Sequence, residues 1–203
     1  MLPVRICPIS RRPAKGTGSP VDAGTPAPSR SNLPKVYRHM ILLMDEEITI
    51  NTTSQSLESI GSSDFVPLFC YWRELRDGRI APSRSEIDPV ALRYILPRLL
   101  LVDVINQGAD FYVRLAGTET AHRHGIDMTG TLISNHAILA HRNALLHSYR
   151  FSVQFQEPLF VCYSFQQFGI EFDSYKALYL PLSDDGYTIN RLLVGEEYRC
   201  HLS

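Results

Sequence analysis

Beyond residue 64 the apolar residues of this chain change their spacing several times, and that succession limits the folds it can form. Apolar side chains recur every three or four residues along residues 65–75, a spacing that predicts a helix with one buried stripe. Two apolar runs within residues 99–118 flank the turn-like segment NQGAD, which predicts a β-hairpin. Helix-like spacing returns from about residue 135 to residue 154. Separate helical and strand regions of this kind are typical of an α+β domain.

Shorter signals complete the order of elements. Asp88 before Pro89 predicts a capped short helix that Pro97 ends, and residues 117–124 predict one or two helical turns stopped by Gly125. Three late apolar runs predict strands, the last two joined by an SDDG turn: residues 159–165, 175–182 and 188–199. The chain is therefore expected to form a five-stranded antiparallel sheet with helices on one face.

The amino-terminal part has a different composition. Residues 1–36 contain seven of the 13 prolines, among Gly, Ser and Thr residues that bury little apolar surface, so a disordered tail is expected. Residues 41–64 indicate a weakly ordered linker. The predicted domains are a tail and linker at 1–64 and a folded domain at 65–200. The tail is basic, but it lacks interleaved aromatic residues for base stacking, and a solvated arm is preferred to a nucleic-acid contact.

Composition excludes several classes of function. A net charge of -1 gives no general attraction to nucleic acid. No apolar run reaches the roughly 18 residues that a membrane span needs, so membrane insertion is not expected. The four cysteines are widely spread with no CxxC pair, which favours reduced thiols in a cytoplasmic protein.

Several segments resemble, in content and order, the PAS-like single-domain proteins common in alphaproteobacteria. They are WRELRDGRIAPSRSEIDPVAL, LPRLLLVDV, FYVRLAGTETAHRHGIDMTG and YLPLSDDGYTINRLLVG. The resemblance covers residues 68–197 and implies a PAS fold, in which a sheet and its helices enclose a cavity and an outer face or an amino-terminal helix binds a partner. It implies a sensory or protein-interaction module in bacterial signalling, with a signalling kinase, another regulator or a second copy of the chain as partner. A small-molecule sensor is the alternative.

Motifs for catalysis or for a cofactor are missing from the sequence. It contains no HExxH, GxSxG, GxxxxGK[ST] or GxGxxG segment, so neither an enzyme nor a metal site is predicted and no motif requires a cofactor. Asp184 and Asp185 are interpreted as turn formers. His136, His141 and His147 are candidates for a haem ligand, but solvated helix histidines are the preferred interpretation.

Two residues of the predicted hairpin are candidates for ligand binding. Alternation along FYVRLAG places Tyr112 and Arg114 on one strand face. Arg114 is suited to hold an anionic ligand in the cavity, with Tyr112 beside it. The competing interpretation, which is preferred, is a cross-strand ion pair between Arg114 and Asp103.

Two aromatic residues of the first helix are candidates for a partner interface. Phe69 and Trp72 lie on the apolar stripe of residues 65–75. They either pack into the core of the domain or anchor a dimer or partner complex, for which Trp is well suited. The sequence leaves both interpretations open for Trp72.

Overall fold

The fold is seen in a computed structural model that describes residues 48–55, 60, 64–136, 138–167 and 170–198. The tail expected over residues 1–36 lies outside the described residues, as do Cys7 and Cys200. Three α-helices are present in these ranges: α1 Phe65–Arg76, α2 Thr118–His124 and α3 Leu139–Phe155. The six strands are β1 Ile48–Gln55, β2 Leu99–Ile105, β3 Asp110–Ala116, β4 Leu159–Gln167, β5 Ile170–Leu182 and β6 Arg191–Tyr198.

One antiparallel sheet contains all six strands in the order β1-β4-β5-β6-β2-β3. The predicted α+β class with an antiparallel sheet is thus confirmed, with six strands in place of five. The additional strand, β1, lies in the segment expected to be a linker and pairs with β4 at the sheet edge. The sequence ITINTTSQ is rich in β-branched residues, which favour strands, but residues 51–55 are all exposed and show no alternation of buried and exposed side chains.

The sheet has helices on both faces, which corrects the expectation that they share one. Directly opposed residues of neighbouring strands point to the same side. Three pairs between β5 and β6 point toward α2 and α3: Tyr175 with Tyr198, Ala177 with Glu196, and Tyr179 with Val194. The residues between them, such as Leu178 and Gly195, face α1 on the other side. The sheet is therefore the middle layer of three.

Helix α1 packs its apolar stripe on the sheet face opposite to α2 and α3, which we call the outer face. Phe65, Leu68 and Trp72 are buried, and the ring of Phe65 meets Phe160 edge to face at 5.9 Å. The helix ends where Asp77 adopts a left-handed conformation before Gly78, as the sequence predicted. The spacing of apolar residues thus identified the helix and its end, although not the face of the sheet that it covers.

The segment between α1 and the first hairpin differs from its prediction. Asp88 accepts a hydrogen bond from the backbone of Val90 at 2.9 Å, as a capping residue does. The following residues form successive turns rather than a helix, and Pro97 lies inside the short 3-10 helix Leu96–Arg98. Backbone of this 3-10 helix packs so closely on Gly117 that an added Cβ would lie 2.3 Å from the Pro97 oxygen. The glycine of RLAGT therefore has a packing role.

None of the helices described here has both the length and the apolar character needed to cross a membrane.

Candidate functional site: a buried histidine cluster

Three histidines from separate parts of the chain meet between the sheet and the α2/α3 layer. His124 is the last residue of α2, where Gly125 ends the helix in a left-handed conformation. His136 directly follows the 3-10 helix Ile133–Asn135. His141 lies in the first turn of α3. We call these three residues the histidine cluster.

The three rings are in mutual contact. The rings of His124 and His141 stack with centroids 5.7 Å apart and an interplanar angle of 16°. His136 meets His141 edge to face at 4.7 Å. One ring nitrogen from each residue lies within 4.8 Å of the other two. His124 and His141 are buried, with relative exposures of 8% and 2%, whereas His136 is half-buried. The expectation of solvated helix histidines is therefore wrong for His141, and of the three haem candidates only His147 is exposed.

Side chains of β5 and β6 hold two of the rings in place. His124 Nε2 lies 3.1 Å from a carboxylate oxygen of Glu196, which is itself buried. Because an ionised carboxylate only accepts, the imidazole donates this hydrogen bond. Tyr198 donates a second hydrogen bond to the same oxygen. His141 Nε2 lies 2.7 Å from the hydroxyl of Tyr175. These contacts fix the orientation of both rings from the sheet side.

The third ring is positioned by the backbone. His136 Nδ1 accepts a hydrogen bond from the amide of Ile138 at 3.2 Å. An imidazole that accepts at Nδ1 carries its one proton on Nε2 when neutral. His136 is thereby held by the connection that leads into α3.

The cluster has a defined charge distribution. Burial disfavours the charged form of His124, but the charge and hydrogen bond of Glu196 outweigh burial and raise the pKa of His124. Burial and the charge on His124 lower the pKa of His136 to about 4. Burial and the two neighbouring histidines hold the pKa of His141 well below its usual value. Near pH 6.5 the cluster thus contains one charged pair, His124 with Glu196, beside two neutral imidazoles.

Aromatic and hydroxyl groups surround this charged pair. Phe165 meets His141 at 5.0 Å between ring centroids. Next to it Tyr163 stacks on Tyr175 at 4.8 Å and donates a hydrogen bond to Ser148 of α3 at 2.7 Å. Burial raises the pKa of Tyr163 and Tyr175, so both stay protonated. The cluster therefore lies among buried aromatic rings and hydroxyl groups.

The residues predicted to bind a ligand lie elsewhere. Arg114 forms an ion pair with Asp103, which is the competing interpretation from the sequence, and its guanidinium lies 5.8 Å from the Tyr112 ring centroid. Asp103 also accepts a hydrogen bond from Arg191 at 2.8 Å. Asp103 opposes both Tyr112 and Arg191 across the sheet, and Arg191 shares its face with Gly195. This group is therefore on the α1 side, away from the histidine cluster.

The two residues predicted for a partner interface, Phe69 and Trp72, differ in how deeply they are buried. Trp72 is buried, with 1% relative exposure, and its indole N–H donates to the Pro181 carbonyl. In the described fold it packs in the core, which is one of the two interpretations that the sequence leaves open; its role at an interface stays a prediction. Phe69 is half-buried and stacks on Trp72 with centroids 6.3 Å apart. Phe69 supports Trp72 from the surface side.

Sequence reasoning missed the histidine cluster because it compared histidines within one helix at a time. The absence of an HExxH motif excludes one kind of zinc site within a single helix, but it says nothing of histidines that meet from separate elements. A local signal does exist, since His136 and His141 are close in the sequence, and they lie on either side of Leu139, where α3 begins. The link to His124 depends on how α2 packs on the sheet, which local spacing does not contain.

The comparisons with known proteins agree with this architecture. A family model described as a PAS domain matches residues 62–194. Neither the curated proteins nor the solved structures gave a match.

Proposed function

Because the chain belongs to the PAS domain family, we propose that it is a sensory and interaction module of bacterial signalling whose input site is the histidine cluster. The proposed output is contact with a protein partner, without a catalytic step. The family model supports a sensory or interaction role in general terms, and the resemblance to single-domain bacterial proteins supports the signalling context. A fold alone does not define a function, so the proposal depends on the site.

The observation that carries the proposal is the buried charged pair of His124 and Glu196, 3.1 Å apart. Removing two charges from water costs several kcal/mol per ion before their attraction is counted, and apolar side chains of similar volume often stabilise a fold as well or better. Buried groups with shifted pKa values are concentrated at functional sites. A pair at this position, beside two more histidines, supports a role beyond packing.

The histidine cluster and its carboxylate partner also join two helices to the sheet, and a signal that starts at the cluster has to change how these elements pack. His124 ends α2, His141 begins α3 and Glu196 belongs to β6. A change of charge or ligand at the cluster acts on the relative positions of these three elements, because each contributes a side chain to the cluster or to the carboxylate that is hydrogen-bonded to it. An altered arrangement of α3 on the sheet is a surface change that a partner can bind selectively.

A partner-capture experiment with a matched control tests the proposal. Full-length protein is used to capture partners from extract of the source cells, alongside His141→Phe in the cluster and His147→Phe on the exposed side of the same helix. The expected result is a specific signalling protein, or a second copy of the chain, whose recovery changes several-fold with His141→Phe and stays constant with His147→Phe.

Two results count against the proposal in different ways. If the full-length chain captures no specific partner and does not self-associate, the interaction output is wrong. Equal recovery with both variants, in protein that remains folded by circular dichroism, removes the histidine cluster as the input site.

A further inference from the structure

We propose that the histidine cluster binds one divalent transition-metal ion of the zinc class, held by His124, His136 and His141. This inference rests on the proposed function, since it names the chemical class of ligand for the same input site. Neutral imidazole nitrogen is a preferred ligand of Zn²⁺, Co²⁺, Ni²⁺ and Cu²⁺, whereas Mg²⁺ and Ca²⁺ prefer oxygen. Three histidines with an open fourth position form one of the known ligand sets of zinc.

The ring nitrogens are close to the separation that such an ion requires. They lie within 4.8 Å of one another. Zinc–nitrogen bonds of about 2.0–2.1 Å in a tetrahedral arrangement place ligand nitrogens about 3.4 Å apart. The farthest pair therefore has to approach by no more than about 1.4 Å. Of the three histidines of the cluster, His136 is the half-buried one, and it lies in the short connection before α3.

Partners of the histidines have the arrangement found around metal sites. A metal-binding histidine usually uses its second ring nitrogen to donate to a carboxylate or another acceptor, which fixes the ring. His124 Nε2 engages Glu196 and His141 Nε2 engages the Tyr175 hydroxyl. Both contacts leave Nδ1 for the ion. Glu196 is in turn fixed by Tyr198.

Charge balance favours a cation at this position. Glu196 is buried and lies 3.1 Å from His124 Nε2, so its negative charge is balanced either by a second proton on His124 or by a cation held beside it. When the ion binds, the Nδ1 proton of His124 is released to solvent and the ion takes over the compensation of the Glu196 charge. At His136 the Ile138 amide is bonded to Nδ1, so Nε2 is the nitrogen that binds the ion. The proton on Nε2 then moves to Nδ1. Because Nδ1 can no longer accept, the hydrogen bond from the Ile138 amide breaks. The Ile138 amide is therefore a direct reporter of metal binding.

Metal titration of the full-length, tag-free protein after treatment with a chelator tests the proposal. Zn²⁺ binding is measured by competition with a chromogenic chelator, Co²⁺ binding by its visible absorption, and Mg²⁺ serves as the oxygen-preferring control. The expected result is one Zn²⁺ per chain, a Co²⁺ spectrum typical of a tetrahedral site with three histidine ligands and one further ligand, and no competition by Mg²⁺. His136→Gln is expected to weaken Zn²⁺ binding by at least about tenfold, whereas the exposed control His147→Gln leaves it unchanged.

The wild-type protein supplies a second readout that does not depend on a variant. In an NMR titration, Zn²⁺ is expected to shift the ring signals of the three cluster histidines and the amide signal of Ile138. Zn²⁺ binding that His136→Gln leaves unaltered, or that leaves these signals in place, overturns the proposal, because the ion is then bound elsewhere. Absence of stoichiometric binding, or a haem absorption band in the purified protein, also overturns it.

Failure of the metal proposal is distinguishable from failure of the proposed function. If Zn²⁺ does not bind but His141→Phe still changes partner recovery, the input site stands and the ligand class is wrong. If Zn²⁺ binds at the cluster while partner recovery is the same with and without the ion and with His141→Phe, the metal site stands and its signalling role is wrong.

Discussion

The indole nitrogen of Trp72 donates a hydrogen bond to the carbonyl oxygen of Pro181, 2.7 Å away and 109 residues later in the chain. This contact joins α1 to the end of β5 on the outer face of the sheet. Both partners are buried, so the bond forms where water cannot replace it. The side chain of the single tryptophan thus connects the α1 layer to the sheet by a hydrogen bond.

Replacing Trp72 with Phe is expected to lower the free energy of unfolding by about 2–4 kcal/mol, because a buried hydrogen bond and part of the packed ring are lost. Urea denaturation followed by circular dichroism measures the change. Val66→Ala on the same helix, at an exposed position, is the control and should change stability little. Loss of self-association with unchanged stability would instead support an interface role for Trp72.

Removal of β1 is expected to destabilise the domain. Residues 48–55 pair with β4 along eight positions, and their deletion turns β4 into an unprotected edge. A chain that begins at residue 56, and so keeps the buried Ile60, should unfold several degrees lower and aggregate more readily than one that begins at residue 48. Thermal unfolding and light scattering compare the two. Equal melting temperatures would show that β1 contributes nothing to stability.

The ion pair of Arg114 with Asp103 predicts unequal costs for its two partners. Arg114 is exposed, so Arg114→Gln should cost no more than about 1 kcal/mol. Asp103→Asn should cost more, since Asp103 also holds Arg191. Chemical denaturation measures both, and salt should reduce both effects. If Arg114→Gln alone abolishes binding of a small anion to the folded protein, Arg114 has the ligand role first considered for it.

Stability of the metal-free protein is expected to peak near pH 6.5 through the histidine cluster. The lowered pKa of His136, about 4, and that of His141 mean that the unfolded chain binds protons more readily below pH 6.5. Stability is therefore lost as pH falls from 6.5 toward 4. The raised pKa of His124 has the opposite sign, because its contribution is present below pH 6.5 and is lost as pH rises through the folded value.

Denaturation curves at pH 5, 6.5 and 8.5 test this dependence. Glu196→Gln should flatten the alkaline side, because the partner that raises the pKa of His124 is removed. His147→Gln should leave the whole profile unchanged. A wild-type profile that is level from pH 5 to pH 8.5 would contradict the assigned protonation states.

Local patterns predicted those elements whose buried and exposed residues alternate clearly. The β2–β3 hairpin, the α1 stripe ending at Asp77 and the SDDG turn all follow from spacing and turn residues. In that turn Asp185 accepts backbone hydrogen bonds from residues 187 and 188. Strand β1 was not predicted, because its residues 51–55 are all exposed and show no alternation of buried and exposed side chains. Helix α1 was expected on the same face as the other helices, because an apolar stripe does not specify which face of a sheet it covers.

The candidate site was less accessible to sequence reasoning. Arg114 was correctly paired with Asp103 as one of two interpretations, because the register of a hairpin brings the two together. The histidine cluster needs the packing of α2 and α3 on the same sheet face. Its carboxylate comes from β6, far along the chain from His124. Contacts between segments so far apart in the sequence depend on the order of the strands and on how the helices pack on the sheet, which local patterns do not specify.

Two consecutive residues of β6 face opposite layers of the domain. Glu196 bonds His124 on one side, and Gly195 meets Leu68 and Phe65 on the other, where an added Cβ would lie 2.9 Å from Leu68 Cδ2. Because Gly195 has no side chain, the backbone of β6 itself lies against Leu68 and Phe65 of α1. One peptide unit of β6 therefore separates the histidine cluster from α1, with Glu196 in contact with the first and Gly195 with the second.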